Sequence, residues 1–341
     1  MAGTDIPVEV PKEVFLAFNL RVEHLERVRK VVKVDTSTGS YALKRVIPAR
    51  EKIQFAFRVV EYLNSKGFEA AVPFLLTKTG EPLYIQGEAG YVLSPWIEGK
   101  EADFKCREDL VLAADIMGRL HRAAVGFCLP EGEWVRNVLG QWPLRWKRGL
   151  EELRDLVEEW VDAAAQDFFT VMRPILPELL RQGVQALELL DHRGNYLLQV
   201  EGARARRCLC HRDLVHHNLI IDRFGKVHII DFEYCALELP VADVGRFLRK
   251  ALPQTGWDWT KVKPLLRVYA EVYPLTAEDR WMLLALLTFP HDWWRLVRRY
   301  NEGVWPHNQL KQELQCLVQG EQGRQIFLQE MAREIETVGR K

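Results

Sequence analysis

Residues 211–218 read His211-Arg212-Asp213-Leu214-Val215-His216-His217-Asn218, the pattern H-x-D-x-x-x-x-N, and thirteen residues further on Asp231 closes the apolar run Ile229-Ile230. Phosphoryl transfer asks little covalent work of a protein. It needs a carboxylate to take or orient the proton of the attacking hydroxyl, and oxygen ligands that hold Mg²⁺ against the phosphates. Asp213 and His211 are the catalytic candidates: Asp213 accepts the hydroxyl proton, and His211 braces the loop rather than reacting. Asn218 offers a neutral oxygen and Asp231 a charged one, which makes them the metal-ligand candidates. A fourth group is Lys44 in Tyr41-Ala42-Leu43-Lys44, a lone cation midway along a strand-like run. Burying an ammonium there is costly without an anion, and a nucleotide phosphate supplies one.

These residues need elements to position them. Residues 24–46 alternate apolar and polar on both sides of Thr38-Gly39-Ser40, the signal of an antiparallel hairpin carrying Lys44. Ile53, Phe57, Val60 and Leu63 then recur at helical spacing over residues 51–66, ending at Gly67. Strand-like stretches follow at 74–77, 83–86 and 91–93, and the pattern breaks at Pro95-Trp96-Ile97-Glu98-Gly99. Beyond Gly99 long amphipathic helices are expected at 109–124, 143–160 and 167–190, and again from 261 onward. Between them two short apolar runs flank a glycine-containing turn at 218–231. The expected fold class is α+β, two-lobed: residues 1–98 a β-rich lobe, residues 99–341 a mostly helical lobe.

Composition sets the outer limits. The 341 residues are 48% hydrophobic and 28% charged, with 47 basic and 47 acidic side chains, an ordinary globular profile. Zero formal charge gives no long-range field for nucleic acid, so no nucleic-acid partner is expected. The longest clean apolar run, residues 281–289, falls far short of the roughly 20 residues that cross a bilayer, so it reads as a buried helix and no membrane insertion is expected. The first residues carry Asp5 and Glu9 and lack a basic start followed by an apolar stretch, so synthesis in the cytoplasm is expected. Six cysteines without a CxxC pair read as small packed side chains; the crowd of Cys208, Cys210, His211, His216 and His217 fits no common zinc spacing.

Through YALKR, LCHRDLVHHNLIID and IIDFE the chain resembles the kinase-like superfamily of aminoglycoside and choline phosphotransferases. Through GQWPLRW at 140–146 and FPHDWWRLVRRY at 289–300 as well, it resembles the CotS family of spore-coat proteins. The resemblance implies a protein-kinase-like fold with ATP at the hinge formed by Pro95, Trp96, Ile97 and Glu98. It also implies ATP and Mg²⁺ as cofactors, a small-molecule substrate, a place in the spore coat among other coat proteins, and an Asp243 that braces the catalytic loop. Two departures stand out. Residues 25–30, where a glycine-rich loop would cover the phosphates, hold no glycine. The residue aligned with the expected helix glutamate that would hold Lys44 is Ala56, which leaves Glu61 as the preferred substitute and Glu51 as the alternative. A coat protein that keeps the fold without catalysis is the rival reading.

Overall fold

The computed structural model describes residues 10–159, 166–302 and 307–338. Asp5 and Glu9, the end of the expected 143–160 helix at Trp160, and residues 339–341 lie outside the described residues. A short helix α1 (Lys12–Ala17) precedes an antiparallel sheet of five strands, β1 (Val22–Val28), β2 (Val31–Thr36), β3 (Gly39–Val46), β4 (Tyr84–Gln86) and β5 (Ala89–Pro95), in the order β1-β2-β3-β5-β4. Helix α2 (Arg50–Ser65) crosses between β3 and β4. The hairpin expected over 24–46 is a meander of three strands. The first run breaks at Arg29 and Lys30, where Arg29 turns left-handed (φ +54°) and Val28 pairs with Val31. Residues 74–77 do not form the expected strand. Pro73 has no N–H to give, Thr77 is drawn into a turn with Glu81, and Leu75 alone bridges Leu93.

Alternation along β3 sends successive side chains to opposite faces. Leu43 joins Val34, Tyr91 and Leu93 beneath Val14 and Phe15 of α1. Lys44, paired in register with Val92, shares the other face, where Ile53 of α2 packs on Val92 and Leu83. The sheet's last strand leads through residues 96–98 into β6 (Gly99–Glu101), which pairs with a hairpin of β8 (Leu219–Asp222) and β9 (Val227–Ile229). Gly99 is required there: a Cβ would lie 2.5 Å from the Ile221 carbonyl oxygen.

The rest is helical: α3 (Arg107–Ala123), α4 (Trp142–Glu159), α5 (Gln166–Glu188, continued by a π-helical turn through Arg193), α6 (Tyr196–Ala205), α7 (Val241–Thr255), α8 (Trp259–Val272), α9 (Ala277–Thr288), α10 (His291–Asn301) and α11 (His307–Val338). Two-residue strands β7 (Leu209–Cys210) and β10 (Ala236–Leu237) pair with one another, and β7 leads into the loop of residues 211–218. Helix α9 opens with a capping box of Thr276 and Asp279 and buries every residue from Met282 to Thr288, the segment expected from its apolar run. The molecule has the two-lobed, kinase-like architecture of a small antiparallel sheet on a larger helical part. No helix among the described residues is long and apolar enough to cross a membrane.

Candidate active site

The segment after β7 enters a loop that cannot pair with a strand and must find other partners for its N–H groups. Asp243, in the first turn of α7, takes two of them: its Oδ2 accepts from the His211 N–H at 2.7 Å and its Oδ1 from the Arg212 N–H at 2.9 Å. Burial alone would raise the Asp243 pKa, yet a hydrogen bond from His121 and the nearby Arg246 outweigh it and bring it down to about 2. A second buried carboxylate, Glu238, holds the loop from below. It accepts from Arg212 Nε at 2.8 Å, from Arg246 at 2.8 Å, and from the Trp142 indole at 2.8 Å. Arg212 itself sits at φ +72°, a conformation that non-glycine residues rarely adopt and that this clamp holds in place.

His211 is fully buried; its Nε2–H donates to the Ile230 carbonyl at 3.0 Å and its Nδ1 accepts from the Asp213 N–H at 3.2 Å. Burial pushes its pKa below the ordinary value, so it stays neutral and fixes the loop. Asn218 donates its Nδ2 both to the Asp213 carbonyl (2.8 Å) and to Asp213 Oδ2 (3.0 Å), so the two side chains are set against each other. The Asn218 side-chain oxygen accepts no hydrogen bond from a described residue. Asp231, at φ +66°, has its Oδ1 buried without a partner among the described residues. A buried carboxylate oxygen without a partner and an amide oxygen that accepts no hydrogen bond are donors of the kind a hard divalent cation takes, so the residues fit magnesium.

Lys44 reaches Asp231 Oδ2 at 2.8 Å and Glu233 Oε1 at 2.8 Å. Burial works to lower its pKa, but the two carboxylates raise it further and the net shift is upward. The helix glutamate expected to hold it is not the partner. Glu61 is half-exposed on α2 and pairs with Arg58 at 3.1 Å, Glu51 is exposed, and Ala56 is buried in the core where α2 lies against the turn of residues 232–234. That close packing leaves room for an alanine and brings Glu233 to the lysine from the opposite lobe. At the hinge, Pro95 pairs with Tyr41, Trp96 N–H donates to the Ser40 carbonyl at 3.0 Å, and Ile97 is half-buried. Glu98 points away to solvent, where it takes Lys33 at 3.0 Å.

Residues 25–28 lie within β1, so only Arg29 and Lys30 form the turn to β2, and Arg29 bridges to Glu101 of β6 at 2.6 Å. Three functional contributors escaped the sequence reading. Glu233 was visible two residues after Asp231, but nothing local ties it to Lys44; Glu238 and Arg246 carry no motif. Among the described residues His121, Cys210 and Asp243 form a compact group with metal-ligating atoms. Each is already bonded, Asp243 as above, His121 also to the Tyr269 hydroxyl (2.7 Å), and Cys210 to the Leu239 carbonyl. Burial also holds the thiol protonated, so the group is packing.

Comparison with known proteins bears on the family and the fold. Residues 26–282 match the model of the phosphotransferase enzyme family. Spore coat protein S of Bacillus subtilis (strain 168) is 23% identical over 332 residues, covering 95% of this chain and 94% of that protein. Among solved structures, an aminoglycoside phosphotransferase from Alicyclobacillus acidocaldarius superposes with a TM-score of 0.83 at 21% identity, covering 98% of each chain. A choline kinase from Streptococcus pneumoniae gives 0.51 at 18% identity, covering 91% of this chain and 96% of that one. A structure of spectinomycin phosphotransferase in complex with ADP and spectinomycin gives 0.59 at 12% identity, covering 95% and 97%. With three quarters of its length matched to one family model and a kinase-like fold throughout, the chain belongs to the phosphotransferase enzyme family.

Proposed function

We propose that the protein transfers a phosphoryl group from ATP, with Mg²⁺, to a hydroxyl of a small molecule, and that it works in a spore coat. The observation that carries this reading is the meeting of Lys44 and Asp231, 187 positions apart in sequence, at 2.8 Å beside the orphaned Asp231 Oδ1. Asp231 and Asn218 would hold the magnesium, whose charge offsets that of the phosphates. Lys44 would leave its carboxylates for a phosphate oxygen. Asp213, oriented by Asn218, would accept the proton of the attacking hydroxyl, and the hinge residues 95–98 would receive the adenine, with the lobe boundary at 98/99. The spore-coat setting comes from the likeness to spore coat protein S.

Calorimetric titration tests the reading. A cover of only two turn residues gives few backbone donors to phosphate, so the expected ATP·Mg dissociation constant is tens to hundreds of micromolar, about −6 to −5 kcal/mol. Asp231→Ala should lose the magnesium dependence of that binding. The same glycine-free turn is the observation that favours the second reading, a structural coat protein without catalysis. No heat with ATP·Mg or GTP·Mg at millimolar nucleotide, and no thermal stabilisation by either, would establish that second reading instead.

A further inference from the structure

Glu233 meets Lys44 from a segment with little structure of its own. Residues 232–234 form one 3₁₀ turn, closed by the Cys235 N–H on the Phe232 carbonyl at 3.0 Å, and lead into the two-residue strand β10. So short a turn has few bonds of its own, and its direction must be fixed from outside.

Arg136, in the connection between α3 and α4, does this with three contacts. Its carbonyl accepts the Leu237 N–H at 2.9 Å, its Nη1 donates to the Glu233 carbonyl at 3.1 Å, and its guanidinium lies 5.8 Å from the centre of the Tyr234 ring. One residue thus grips both ends of the run from Glu233 to Leu237. The main chain continues the grip: Asn137 bridges Leu237 in parallel, and the Val138 N–H donates to the Leu237 carbonyl at 3.1 Å. Arg136 is half-buried and makes no ion pair with a described residue. A guanidinium given to a neutral carbonyl serves the position of that carbonyl rather than the offset of a charge.

The same connection is fastened to α2. The Tyr62 hydroxyl donates to the Val125 carbonyl at 2.6 Å, and Phe55 packs edge-on against both Phe127 (5.7 Å) and Trp134 (5.8 Å). Phe55 is the neighbour of Ala56, which stands where a helix glutamate would hold the lysine. The turn at 232–234 is therefore held between α2 on one side and Arg136 on the other. The helix supplies no acid, and the connection keeps one in reach from the turn.

We infer that Arg136 is the positioning residue for Glu233, and that through the Glu233 carboxylate, 2.8 Å from Lys44, it sets where the ammonium stands. This role rests on the proposed phosphotransferase only for the phosphate oxygen that the ammonium then meets.

A double-mutant cycle on the full-length protein tests it, with wild type, Arg136→Met, Glu233→Gln and the double variant read by trace acetylation of Lys44 with acetic anhydride and mass spectrometry. The reagent takes only the neutral amine, a form that a carboxylate beside the ammonium keeps scarce. Arg136→Met keeps an apolar stem over Tyr234 and removes the donor that holds the carbonyl. Lys263 of α8, paired with Glu334 of α11 at 2.7 Å, is the internal standard, so loosening of the whole fold cancels in the ratio. Each single variant should raise the ratio of Lys44 to Lys263 labelling about threefold or more, and the double variant no further than the larger of the two. A ratio unchanged in either single variant, or effects that add, overturns the inference. In a second arm, ATP·Mg is titrated against the same four proteins. The single variants should shift its affinity in the same direction without adding, and opposite or additive shifts overturn the inference. If ATP·Mg binds none of the four while the labelling cycle is non-additive, the phosphotransferase reading fails and the role of Arg136 stands.

Discussion

The loop that carries Asp213 and the turn that faces it across the site are held in opposite ways. In the loop, the N–H groups of His211 and Arg212 end on Asp243, the Arg212 side chain ends on Glu238, His211 ties strand to loop, and the carboxylates involved are almost wholly buried. In the turn, two residues join β1 to β2, and Arg29 ties it to Glu101 through an ion pair whose arginine side chain is 65% exposed. Buried, multiply bonded carboxylates resist displacement, whereas an exposed ion pair is worth little in water. The contrast teaches that precision is concentrated in the loop of Asp213 and Asn218, where the proposed reading asks for a proton to be accepted and a cation held, and that the turn between β1 and β2 is left loosely tied.

The largest effect that would break this contrast is loss of the brace. Asp243→Ala leaves the main-chain N–H groups of His211 and Arg212 without their acceptor and takes from Arg246 one of its two carboxylates, and should lower stability by about 3–5 kcal/mol, read by denaturant unfolding; a loss below about 1 kcal/mol would show that the loop does not depend on it. The same residue sets an acid limb. Its folded pKa of about 2 lies below the ordinary value near 3.9, so its contribution is complete above about pH 4 and disappears as pH falls through 2. Thermal melts of wild type should decline across that window, and those of Asp243→Asn should be flatter there.

Next comes chemistry. Asp213→Asn keeps the shape of the loop and removes the base, so phosphotransfer or slow ATP hydrolysis should fall about 10²-fold or more with ATP·Mg binding retained. Equal turnover would reduce Asp213 to part of the brace. Smaller still, Lys44→Met should weaken ATP·Mg about tenfold by calorimetry, while Lys33→Met, whose ammonium sits with Glu98 on the surface, should change it little. The smallest effect belongs to the turn: Arg29→Ala should alter stability by no more than a few tenths of a kcal/mol. A loss above 1 kcal/mol would mean that the turn is anchored more firmly than its exposure implies.

Much of this arrangement was legible in the sequence because it is local. H-x-D-x-x-x-x-N spans one loop, the two runs flanking 223–226 form one hairpin, and the helix periodicity over 51–66 depends on neighbours three and four residues away. What escaped depends on distant packing. The approach of the turn at 232–234 to Ala56 decides that Glu233 rather than Glu61 meets Lys44. Helix α6 was missed because it lacks a marked apolar stripe, with Leu197 and Leu198 both exposed. The break at Arg29 was hidden because neither Arg29 nor Lys30 is a residue that ordinarily marks a two-residue turn.

Lys44 gives the carboxylates of the site a counter-ion of their own. With its ammonium against Asp231 and Glu233, the charge of both carboxylates is offset within the protein itself, and the pairing helps to draw sheet and loop together. On the proposed reading, arrival of a magnesium nucleotide would be an ion exchange rather than a capture: Asp231 would pass from the ammonium to the cation, Lys44 would turn to the phosphates, and release of product would return the carboxylate to the lysine. A protein built this way need not hold a bare pair of acids open to the solvent.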